Sequence, residues 1–190
     1  EFSIAAWIKP NSNRAQYDII AAQRDSTADG FQFDLRASDA MHLGFAIEGE
    51  SGNSNTFGNI EIPTDEWSHV AVTVDSTDKF KLYVNGTLDK EHDCSGVGDI
   101  SNAAPFMIGN KRDENGSDSN QGFNGYIDEV RIYTGSLSLG EIQGLYSNPA
   151  GIQGTTIYGD NIKTGKILSN NWDEPDSNEY EIFSDKGTMI

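Results

Sequence analysis

The chain reads as all-β: an antiparallel β-sandwich of jelly-roll type with one short helix and a short β-rich C-terminal appendage. Three observations predict this. Apolar residues recur at period two in many short runs, polar turn signals separate those runs every 8 to 12 residues, and helical periodicity is almost absent from residues 1 to 147.

The runs come in order. Phe2, Ile4, Ala6 and Ile8 alternate with Ser3, Ala5 and Trp7, and Pro10 and the residues after it break the strand. Residues 17 to 23 form a second apolar run. Phe31 to Leu35 alternates strictly behind an Asp29-Gly30 turn signal, and His42 to Ile47 follows. Glu48 to Asn55 reads as a polar loop. Residues 67 to 75 and 80 to 84 form the clearest pair, a hairpin joined through Asp75 to Lys79 and closed by an Asn85-Gly86 turn. Phe106 to Gly109 and Tyr126 to Tyr133 are the last strands of this region, separated by the polar loop Asn110 to Asn124. Residues 136 to 146 place Leu137, Ile142 and Leu145 at roughly helical spacing, with Ser138 and Glu141 as a capping box.

Composition narrows the function. The 190 residues carry 13 Lys+Arg against 30 Asp+Glu, a formal charge of −17. Such a chain repels nucleic-acid phosphate and anionic membrane surfaces. No apolar stretch approaches the roughly 20 residues that span a bilayer, so no membrane insertion is expected. One cysteine excludes an internal disulfide framework and any zinc site needing several thiolates. Cys94 reads as a bystander thiol. The chain opens inside a strand pattern without an initiator Met, as expected of a piece of a longer protein.

The wording of the strands goes further. EFSIAAWIKP (1–10), WSHVAVTVD (67–75), LYVNG (82–86), IG (108–109) and GYIDEVRIY (125–133) occur in that order, followed by the Ser-Leu-Ser helix. Residues 1 to 147 thereby resemble the laminin-G-like, concanavalin-A-like jelly-roll family. The resemblance implies a module that binds carbohydrate or protein rather than an enzyme. Family members usually carry strands ahead of the Phe2–Pro10 segment. The resemblance therefore implies upstream chain, a partner chain or a variant topology; the isolated chain should expose a sheet edge unless another chain covers it, with intimate oligomer contacts near residues 1 to 10.

Residues 148 to 153 read as a linker and 154 to 190 as a separate segment. Ile162, Thr164, Gly165, Ile167, Ser169, Asn171 and Trp172, with Gly187, Thr188 and Ile190, resemble a repeat of bacteriophage tail-tip and tail-fibre proteins. Its apolar residues are too few for an independent core and must be buried against another chain or the sandwich. The resemblance implies a fibre connector, homotrimeric winding, other fibre or virion proteins as partners, and a place on the virion surface or otherwise outside the cell. A purely structural fibre or virion component, and an adhesion module of a bacterial cell surface, are the alternatives.

Site candidates follow from chemistry. Sugar sites combine aromatics that stack on ring faces with amides that meet hydroxyls. Tyr17, Phe57 and Phe123, with Asn55, Asn110 and Asn120, supply these types in polar loops, and a cell-surface glycan or receptor is the expected partner. Strict alternation places Asp128 on one face with Tyr126, Val130 and Ile132. If that face is the core, the carboxylate must be paired, hydrogen-bonded or metal-bound. The family resemblance implies Ca²⁺ near this part of the fold; a carboxylate capping loop amides is the other reading. The loop 113–120, with Asp113 and Asn115, also offers oxygen donors of the kind Ca²⁺ takes, though its twelfth position is Asn124 rather than a bidentate Glu. Glu174, Asp176 and Glu179 match a glucanase-like carboxylate spacing, but Pro175 excludes a central strand and the trio reads as a solvated loop. His69 and Trp67 share a strand face and read as packing.

Overall fold

A computed structural model of the chain describes residues 1–12, 17–24, 29–37, 41–75, 77–111 and 122–148, with the backbone alone at 17 and 37. The chain divides into two units, Glu1–Gln153 and Gly154–Ile190. The fibre-like segment, its carboxylate trio, Asp113, Asn115 and Asn120 lie outside the described residues.

The first unit is a sandwich of two five-stranded antiparallel sheets. Its strands are β1 (Phe2–Pro10), β2 (Tyr17–Arg24), β3 (Gly30–Ala37), β4 (Met41–Gly49), β5 (Gly52–Glu61), β6 (Ser68–Val74), β7 (Lys79–Val84), β8 (Thr87–Asp93), β9 (Met107–Ile108) and β10 (Gly125–Tyr133), followed by helix α1 (Leu139–Ser147). One sheet runs β10-β1-β6-β7-β8 and the other β5-β4-β3-β2-β9.

Alternation explains the core between them. Ile4, Ala6 and Ile8, Val70, Val72 and Val74, and Phe80, Leu82 and Val84 face Phe31, Phe33 and Leu35 and Leu43, Phe45 and Ile47. A run of aromatic contacts crosses the layer: Phe2 to Phe31 at 5.0 Å, Phe31 to Phe45 at 6.1 Å, and Phe45 edge-on to Phe80 at 4.9 Å.

The first sheet is covered on its other face as well. Helix α1 drops Ile142 onto Ala5, Ala71 and Tyr83, with Leu137 and Leu145 at the margin. Its start is the expected capping box, Ser138 Oγ accepting from Glu141 N and the Glu141 carboxylate accepting from Ser138 N. Double coverage is why every residue of β6 is buried. It also encloses His69, whose ring lies 5.5 Å from Trp7 and 6.2 Å from Tyr146, so the packing reading of His69 stands. Burial, aided by the positive charge of Arg131, lowers the His69 pKa to about 4.

Four points depart from the sequence reading. The polar stretch from Glu48 is not a loop through Asn55: β4 runs to Gly49, the chain turns, and β5 pairs back from Gly52. Strand β8 had no sequence signal; the Asn85-Gly86 turn, with φ of 49° and 74°, folds its charged residues back along β7. Residues 2 to 10 are no open edge, because β1 pairs with β10 on one side and β6 on the other. The edges of that sheet are β10 and β8.

The fourth correction concerns Asp128. A bulge interrupts the pairing of β1 with β10 between Ala5↔Arg131 and Trp7↔Asp128, and Glu129 takes a left-handed φ of 50°. The bulge breaks strict alternation, so Ile127 and Val130 both pack against the core. Asp128 is exposed, and its Oδ1 accepts from Glu129 N at 2.8 Å.

Candidate functional site

The outer face of the β5-β4-β3-β2-β9 sheet carries an organised polar surface. It begins with β3. Phe31, Phe33 and Leu35 point into the core, so Gln32, Asp34 and Arg36 share the opposite face. Register then sets their neighbours: Ala22 lies across from Gln32, Gly44 from Asp34 and His42 from Arg36. One strand further, Gly44 pairs with Phe57 and Ala46 with Asn55. Small residues on the flanking strands leave room for the long polar side chains of β3 to lie along the sheet.

Those side chains form a continuous ribbon. Lys111 Nζ donates to Gln32 Oε1 at 2.6 Å, and Gln32 Nε2 donates to Asp34 Oδ2. Arg36 Nε donates to Asp34 Oδ1 at 3.0 Å, and Arg36 Nη1 donates to Asn55 Oδ1 at 3.4 Å. Arg24 Nη2 donates to Glu48 Oε2 at 2.8 Å beside it. Phe57 stands 53% exposed at the end of the ribbon, its ring 6.3 Å from His42.

Burial decides the electrostatics. Asp34 is 0% exposed, and desolvation raises its carboxyl pKa against the opposing pull of the Arg36 guanidinium. Its position is over-determined by Gln32 and Arg36, which makes it a fixed anchor for both donors rather than a group available to solvent. Two carboxylates of this face, Asp34 and Glu48, are held in ion pairs, with Arg36 and Arg24, and exposed Glu61 lies opposite His42. Chemically the face offers oriented N–H donors next to an exposed aromatic ring. That combination suits hydrogen bonding to a polar ligand that also presents an apolar face.

The sequence candidates separate on this map. Asn55 and Phe57 fall on the face, and the β2 backbone places Tyr17 at the register position opposite Arg36. Neither Phe57 nor Tyr17 is in a loop; both are strand residues. Asn110 adjoins the face through Lys111, whose backbone N–H it accepts at 2.9 Å. Phe123 is elsewhere: it packs partly buried against the core, so it is a packing residue rather than an exposed platform. Among the described residues no group of three or more His, Cys, Asp or Glu could hold a metal ion. Asp128 is turned to solvent, and Asp113 and Asn115 lie outside the described residues. Cys94 is buried, and desolvation pushes its thiol up to about 11, as a bystander requires.

Sequence reasoning missed Gln32, Asp34, Arg36, Gly44 and Lys111. The signal for the first three was present in the alternation of Phe31 to Leu35, which puts the intervening polar residues on one face. Nothing in the sequence paired Gly44 with Asp34 or brought Lys111 to Gln32.

Comparison with known proteins agrees with the fold. Residues 1–143 match the concanavalin A-like lectin/glucanases superfamily (Laminin_G_3), and the chain belongs to that family. The Ruminococcus gnavus IT-sialidase CBM40 superposes with a TM-score of 0.64 at 18% identity, over 76% of this chain and 82% of that one. Domain 4 of AbnA, an extracellular arabinanase of Geobacillus stearothermophilus, superposes with a TM-score of 0.55 at 23% identity, over 77% and 66%. Among curated proteins, botulinum neurotoxin type F of Clostridium botulinum is 26% identical over 77% of this chain, and adhesion G-protein coupled receptor V1 of Danio rerio 24% identical over 96%. The chain spans only 12% and 3% of the length of those two relatives. Among the described residues no helix is long and apolar enough to cross a membrane.

Proposed function

We propose that this chain is a non-enzymatic carbohydrate-binding module and that the outer face of the β5-β4-β3-β2-β9 sheet is its recognition surface. The observation that carries the reading is the Lys111–Gln32–Asp34–Arg36–Asn55 ribbon ending beside exposed Phe57. A ribbon locked by a buried carboxylate is ordered before any ligand arrives, which lowers the entropy cost of binding. Two neighbours in fold support the ligand class: the CBM40 was also solved bound to α2,3 sialyllactose, and the arabinanase domain in complex with arabinotriose.

The setting we propose is a fibre or adhesin outside the cell, on a virion of phage-like type, assembled as a homotrimer with other fibre proteins. The support for that setting is the resemblance of residues 154 to 190, which lie outside the described residues.

A glycan array probed with the native assembly tests the function, run with calcium and again with a chelator. Binding to a defined glycan under both conditions is the expected result. Binding lost with the chelator would bring the loop around Asp113 and Asn115 into recognition as a calcium site. No binding from a folded assembly would overturn the reading in favour of a structural fibre component.

A further inference from the structure

The ribbon face does not share the acidic excess of the chain. Over all 190 residues acids outnumber bases by 30 to 13. On this face the described charged side chains of the ribbon and its flank are Arg24, Arg36 and Lys111 against Asp34, Glu48 and, opposite His42, the exposed Glu61.

The hydrogen-bonding inventory points the same way. Each acceptor of the ribbon already takes a donor from within it. Asp34 takes Gln32 and Arg36, Asn55 Oδ1 takes Arg36, Gln32 Oε1 takes Lys111, and Glu48 takes Arg24. Donors are in surplus: an ammonium carries three N–H groups, and the Gln32 bond uses one of those on Lys111. A neutral sugar presents hydroxyls that donate as readily as they accept. A cationic donor with N–H groups to spare, between two guanidiniums, suits a ligand group that accepts only. Lys111 itself reports the local field. Burial lowers its pKa first, and the charges of Arg24 and Arg36 lower it further against the pull of Asp34. A carboxylate arriving beside it would meet a partly desolvated cation, where a charge-assisted bond is stronger than in water.

We propose that the ligand of this face is an acidic glycan, held through the carboxylate of a sugar residue by Lys111, with Arg36 and Arg24 supplying the surrounding positive potential. The proposal rests on the reading of this face as a sugar site and specifies its substrate class. Sialates and uronates share the required chemistry.

The test compares matched probes on the full chain by calorimetry: α2,3-sialyllactose against lactose, and a trigalacturonate against its carboxyl-reduced form, alongside an array of sialylated, uronate and neutral glycans. The acidic member of at least one pair should bind about tenfold more tightly, as one charge-assisted hydrogen bond allows. That preference should shrink between about 50 and 500 mM salt. Lys111→Met should abolish the preference, and Lys111→Arg should retain it. Should Lys111→Met lose its cooperative melt, Arg24→Gln tests the same field, because the Glu48 left behind adds negative charge to the face. Phe57→Ala should weaken acidic and neutral probes alike. Neutral probes binding as tightly as acidic ones, with both weakened by Phe57→Ala, would overturn the acidic assignment and leave the sugar site standing. No binding of any probe by a folded chain would overturn both.

Discussion

Gly44 lies directly across from Asp34 in the β3–β4 pairing, and its lack of a Cβ is what gives the Asp34 carboxylate its place. A Cβ at Gly44 would collide with Asp34 Oδ1 and come within 2.7 Å of Arg36 Nε. The ribbon therefore depends on a residue that contributes no polar group to it.

Gly44→Ala is expected to push the Asp34–Arg36 pair off the sheet. Both the fold and the face should suffer, because Asp34 is buried where nothing else can pair it. We expect a loss of about 2 kcal/mol, within the range for overpacking a well-filled site. Glycan affinity should fall with it. Urea melts and calorimetry on the same variant check the two effects.

Phe57 and Phe123 should behave in opposite ways. Phe57 is 53% exposed, so Phe57→Ala should change stability by less than about 0.5 kcal/mol while weakening glycan binding. Phe123 packs against the core, so Phe123→Ala should cost about 2 kcal/mol, below the range for a fully buried Phe, with recognition intact. Thermal melts paired with binding isotherms separate the two residues.

That contrast shows where the sequence was legible. Period-two runs such as Phe31 to Leu35 located both the core and the polar face behind it. Asp128 was misplaced because strict alternation cannot foresee a bulge, and Glu129 adopts the left-handed backbone that makes one. Strand β8 was invisible because Asp89, Lys90, Glu91 and His92 carry no strand pattern; it exists because the Asn85-Gly86 turn delivers it to β7. Most of the site was hidden for a similar reason. Lys111 and Gln32 are 79 residues apart, and only the position of β9 at the end of the sheet brings them together.

Ile142 fastens helix α1 to the sandwich. It is fully buried against Ala5, Ala71 and Tyr83, and the helix has no second buried side chain. Ile142→Ala should cost about 3 kcal/mol. Hydrogen exchange should accelerate across residues 139 to 147 before it does in the sheets.

His69 gives the stability of the sandwich a pH dependence. Its folded pKa is lowered to about 4 from an unfolded value of 6.5. The unfolded chain therefore binds the extra proton as pH falls below 6.5, and stability declines until the folded ring titrates near 4. The loss reaches about 3 kcal/mol. Asp34, raised by burial, has the opposite slope, so the comparison must be with a variant that keeps Asp34. His69→Phe should remove the His69 contribution, and the difference between the two chains in urea midpoint from pH 7 to pH 4 measures it.

The most direct test of the account is a glycan array on three chains: the parent, Asn55→Ala/Phe57→Ala on the ribbon face, and Tyr126→Ala, which removes a 63% exposed aromatic from the other sheet. The account predicts one glycan profile for the parent and Tyr126→Ala, and its loss in the ribbon-face variant at an unchanged melting temperature. An unchanged profile in the ribbon-face variant, or a profile lost only with Tyr126, would contradict it.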